Sequence, residues 1–150
     1  MSRANLTALI ERVEAARGPD QELDAESATA AGWRDVHRAA HLAELGQGRL
    51  LGWPPEGSGA WAFVPAFTAS LDAAATLVPE GWAWDVRRMY PGGSVHGAHH
   101  TGEAHLDRWS DRDFRTEGAK AFVRVTAATP ALALTAAALR ATLASMGDDA

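Results

Sequence analysis

The chain has 150 residues, 47% of them apolar and none of them cysteine, and a formal net charge of −5. That length suffices for one domain with its own core, and the missing thiols exclude disulfides and thiolate zinc sites. No apolar run reaches the roughly 20 residues of a membrane span, the opening residues lack a signal-peptide core, and the acidic balance argues against indiscriminate nucleic-acid binding.

The stretch NLTALIERVEAARGPD places Leu6, Leu9, Ile10, Val13 and Ala16 at helical spacing, with Glu11, Arg12 and Glu14 turned away. Gly18 is positioned for a left-handed cap and Pro19 forbids continuation. Asp20 should cap a second helix, with Glu22 at its favourable end and Gly32 as its exit. From Trp33 to Gly59 a short helical pattern around Val36 to Leu45 gives way to clustered Gly and Pro, which reads as a connector.

Phe63 to Thr68 reads as extended chain, limited to an edge or a strand start by Pro65. Ser70 then caps the helix LDAAATLV, Asp72 sits in its first turn, and Pro79 ends it. The segment 81–90 alternates: Trp82, Trp84, Val86, Arg88 and Tyr90 share one face, and Ala83, Asp85, Arg87 and Met89 the other. Pro91 to Gly118 reads as a long hairpin excursion with a brief strand-like hint at Ala104 to Trp109. Residues 119–126 alternate again, and Thr129 caps a last helix that has Pro130 at its first position. Leu132, Ala136, Leu139, Leu143 and Met146 form its apolar stripe.

The expected fold is a single α+β domain over 1–147, an antiparallel sheet sandwiched between helical layers, with 148–150 as a frayed tail. Three ordered blocks, LIERVEAARGPDQELDAE, FTASLDAAATLVPEGWAW and ATPALALTAAALRA, resemble the phage ABA-sandwich domain family of small phage and prophage proteins. The resemblance implies that fold and a phage-associated role in the host cytoplasm. It carries no catalytic residue.

Function must therefore be sought in the side chains themselves. Residues 82–126 hold seven Arg/Lys against six Asp/Glu, which leaves −6 on the remainder. Such a segment permits a local anion site. Arg88, Tyr90 and Arg124 are the candidate ligand contacts, two guanidiniums and a phenol that could meet a phosphate if their strands were neighbours in suitable register.

A metal reading would draw on His96, His99, His100 and His105, or on His37, His41 and Glu44 at i, i+4 and i+7 of a helix. The loop spacing matches no zinc signature, and Arg38 occupies the place of the metalloprotease glutamate, so no metal or other cofactor is expected. Trp82 and Trp84 are expected to pack in the core or at a corner, whereas Trp33, Trp53, Trp61 and Trp109 fall in or beside loops, where exposure would mark a partner surface. The resulting expectation is a non-catalytic accessory protein that binds a host partner protein or a small anionic ligand. A small metal-assisted hydrolase built on 96–105 is the alternative.

Overall fold

The computed structural model describes residues 1–39, 48–57, 59–89, 101–108 and 121–147. Tyr90, His96, His99, His100, His41, Glu44, Trp109 and the tail 148–150 lie outside the described residues. The fold is α+β, and the described residues form four helices and two three-stranded antiparallel sheets.

Helix α1 (Arg3–Ala15) buries Leu6, Leu9, Ile10 and Val13 as their spacing requires, and the Ser2 hydroxyl accepts the Asn5 N–H at its start. It ends differently from the expectation. Ala16 turns extended, and Gly18 has no positive φ. The proline that follows Gly18 disfavours the helical region for it, so the chain leaves the helix before a glycine cap can form. Asp20 caps α2 (Gln21–Ala30), its Oδ1 accepting from the N–H groups of Glu22 and Leu23, and Gly32 exits at φ 92°.

Thr68 ties this corner down. Its N–H donates to Asp24 Oδ1 at 2.7 Å, and its hydroxyl accepts the Asp20 N–H at 2.9 Å. Ser70 caps α3, which covers only Leu71–Ala75; the N–H groups of Leu77 and Val78 then bond three residues back and tighten the chain before Pro79.

The first sheet contains β1 (Arg34–Arg38), β2 (Leu50–Trp53) and β3 (Ala62–Phe63) in that order. Strand β1 corrects the expected helix around Val36: residues 34–38 are extended and paired with β2. Register passes from Arg34↔Trp53 to His37↔Leu51, so Asp35 and Val36 together oppose Gly52 in a bulge, and Asp35 takes φ 53°. A Cβ at residue 52 would lie 3.1 Å from Val36 Cγ2 and 3.2 Å from the Arg34 carbonyl oxygen, which explains the glycine opposite the bulge.

The second sheet has the order β4 (Trp82–Met89), β5 (Thr101–Arg108), β6 (Ala121–Ala127). Its middle strand was almost hidden in the sequence, inside the supposed excursion. One face presents Gly102, Ala104, Leu106, Val123, Val125 and Ala127 to α1 and α4 (Pro130–Ser145), and Ala104 and Leu106 are fully buried there. Trp82 joins this core, whereas Trp84, expected in the core or at a corner, is 43% exposed on the outer strand.

Thr129 and Pro130 start α4 as expected. Burial runs almost around the helix, from Ala131 to Leu139, because strands of the second sheet, α1 and α3 all pack against it. Met146, the end of the expected stripe, is 42% exposed. A second cluster joins Ala28, Leu50, Val64, Phe67, Leu77 and Ala138, so α4 contributes to the cores under both sheets. Each fully buried leucine in them contributes about 2 kcal/mol of hydrophobic stabilisation.

Candidate functional site

Strand register separates the residues expected to form one anion site. Arg88 lies in the row Arg88–Gly102–Ala127, and Arg124 in the row Asp85–His105–Arg124. The rows are an odd number of residues apart and β5 intervenes, so the two guanidiniums stem from opposite faces of the sheet. The expected Arg88–Arg124 pairing is thereby corrected: the alternation was read properly, but a third strand stands between the two.

Arg124 instead belongs to two other groupings. On the outer face its Nη2 donates to Glu103 Oε2 at 2.9 Å, and the other oxygen, Oε1, lies 2.7 Å from His105 Nε2. His105 meets Phe122 edge-on, with centroids 5.8 Å apart. The guanidinium and the imidazole together hold the Glu103 carboxyl below its ordinary value, with the Arg124 hydrogen bond as the leading cause.

At the free side of β6, Arg124 lines a groove of about 320 Å³ with Arg3, Phe122, Val123, Arg140, Leu143 and Ala144. Arg3 Nη1 donates to the Leu143 carbonyl at 3.3 Å, and Arg140 Nε donates to Glu14 Oε1 at 2.6 Å. That bond raises the Arg140 pKa further. Each guanidinium carries five N–H donors, so one such contact apiece leaves donors for a ligand. Phe122, 57% exposed, adds an apolar wall. Among the described residues, three guanidiniums against two carboxylates make the groove cationic on an acidic chain.

Arg3 and Arg140 were missed because they lie near opposite ends of the chain. One signal was present: Arg140 is the only charged residue in α4. An isolated charge in so apolar a helix has to reach a partner or solvent.

A smaller cleft, about 200 Å³, is lined by Gln21, Asp24, Arg49, Leu50, Phe63, Val64, Pro65 and Ala66. Burial pushes the Asp24 carboxyl above its ordinary value, and the Thr68 hydrogen bonds offset part of that shift. His37, expected on a helix with His41 and Glu44, sits on β1 instead. Among the described residues no group of three or more His, Asp or Glu side chains is placed to hold a metal ion, and no helix is long and apolar enough to cross a membrane. Comparison with protein-family models, curated proteins and solved structures finds no match for the chain.

Proposed function

We propose that this chain is a non-catalytic binding protein that takes a small phosphorylated or otherwise anionic ligand, or the acidic surface of a host protein, in the groove of Arg3, Arg124 and Arg140. The observation that carries the reading is the convergence of these three guanidiniums beside the exposed Phe122 ring. Guanidinium forks match the planar and tetrahedral oxygens of carboxylates and phosphates, and a sheet edge backed by α4 gives them rigid support. The three-block resemblance supports a phage- or prophage-borne accessory role in the host cytoplasm.

Thermal-shift titration with inorganic phosphate, nucleotides, sugar phosphates and dicarboxylates tests the groove, since a ligand selective for the native state raises its midpoint with concentration. A phosphate-bearing compound should stabilise the wild type, and Arg124→Ala combined with Arg140→Ala should weaken it by at least tenfold. Arg124→Lys, which keeps the charge but loses the fork, should fall between. Shifts unchanged in the double variant would end this assignment.

The contact between Glu103 and His105 favours one second reading, a hydrolase in which Glu103 orients His105 as a general base. Turnover of a phosphate ester abolished by His105→Ala, but retained in Arg140→Ala, would select it.

A further inference from the structure

The outer face of the first sheet gathers aromatic and cationic side chains that sequence order scatters. Cross-strand register sets Arg34 beside Trp53, and His37, Leu51 and Phe63 in one row. Trp61, two residues before Phe63, reaches Trp53 with ring centroids 4.9 Å apart. His37 meets Trp61 edge-on at 5.2 Å, and the Arg49 guanidinium lies 3.7 Å over the Phe63 ring. Trp61 is 48% exposed and Phe63 36%, whereas Leu50 and Val64, on the opposite face, are buried.

The bulge contributes directly. Asp35, at φ 53°, brings its carbonyl to 2.7 Å from His37 Nδ1. A carbonyl only accepts, so Nδ1 donates. The contact therefore fixes the orientation of a ring that forms part of the face.

We propose that this face binds a nucleotide, its base stacked on Trp61 and its phosphate held by Arg49, which lies over the Phe63 ring. Three features select that class. An exposed indole favours a flat π-system. Arg34 and Arg49 favour negative charge, and Arg49 lies roughly 13 Å of strand from Trp53, the cross-strand neighbour of Arg34, a span that suits a ring at one end and an anion at the other. Beside Arg49 the small cleft adds the Gln21 amide, whose Oε1 accepts from Arg38 Nη1 at 2.7 Å and whose NH2 is a donor suited to a sugar hydroxyl. A neutral planar ring would leave the arginines unused, and inorganic phosphate would leave the rings bare.

Tryptophan fluorescence of the whole chain, titrated with nucleoside monophosphates, tests the assignment. Saturable quenching is expected, weakened about tenfold by Trp61→Ala and by Arg49→Ala and unchanged by Arg17→Ala, an exposed arginine that lines neither site. Unbound variants should keep the wild-type urea midpoint within error, which separates lost binding from lost fold, and Trp61→Phe should restore most of the affinity. A single-stranded oligonucleotide distinguishes two sources of the same chemistry: tighter binding with length assigns a strand, and equal affinity assigns the free nucleotide. Absence of quenching, equal quenching by a neutral oligosaccharide, or indifference to both Trp61→Ala and Arg49→Ala overturns the proposal. A nucleotide response lost only in the Arg124/Arg140 variant also overturns it and returns the ligand to the groove of the second sheet.

Discussion

Asp24 and Glu103 are both almost fully buried carboxyl groups, yet their surroundings move them in opposite directions. Asp24 is dominated by desolvation, so the folded protein holds its proton to higher pH than the unfolded chain does. Stability from this group is therefore full below the ordinary aspartate value, about 3.9, and falls as pH rises through the raised folded value. Glu103 is dominated by its hydrogen bond from Arg124, so its contribution is present above the ordinary glutamate value, about 4.3, and is lost as pH falls through the lowered one. Urea midpoints measured from about pH 3 to 7 should show the two trends separately. Asp24→Asn retains an acceptor for the Thr68 N–H and should flatten the loss on the alkaline side. Glu103→Gln should remove the rise on the acid side. If either variant keeps the wild-type profile, that carboxyl does not set it.

Gly102 shows how one position joins two elements. It lies on the helix-facing side of β5, and a Cβ there would stand 2.3 Å from both N and Cα of Pro130, backbone atoms at the start of α4. Gly102→Ala must separate β5 from that helix and should cost about 3 kcal/mol. Gly18→Ala, with nothing within 4 Å and no positive φ, should leave stability unchanged or slightly raised. Chemical denaturation of the two variants checks the contrast, and equal midpoints would refute the close-packing account. The elements themselves differ in how much of this the sequence disclosed. Asp20, Ser70 and Thr129 cap helices as their sequence context indicates, because a cap is a local contact between a side chain and an N–H a few residues on. The short helical pattern around Val36 to Leu45 is a local signal, whereas the state of strand β1 depends on pairing with residues beyond Gly48. Strand β5 was blurred by Gly102 and its neighbouring histidines, although Gly102, Ala104 and Leu106 already alternated with Glu103, His105 and Asp107. The groove beside β6 was less legible still: the alternation places Arg124 on a strand, but Arg3 and Arg140, which line the groove with it, come from helices at either end of the chain.

The molecule as a whole is organised around α4. Its Leu132, Ala133, Ala136 and Ala137 belong to the core under the second sheet, while Ala138 belongs to the cluster that includes Leu50 of β2 and Val64 just after β3. Small side chains let neighbouring elements approach on every side, and interiors packed at crystal-like density transmit a loss from one side to the other. The two sheets should therefore unfold together. Hydrogen exchange can read this at two distant amides, Leu106 in the central strand β5 and Val64, whose N–H donates to the Leu50 carbonyl. Both should open with the same free energy under conditions where global unfolding dominates. Leu132→Ala touches the first cluster, and its removed methyl groups should cost about 3 kcal/mol. With a shared helix that cost must appear in full at Val64 as well as at Leu106. A loss confined to Leu106 would mean that the first sheet, with its aromatic face, stands on a core of its own, and that ligand binding there could not raise the stability of the groove beside β6.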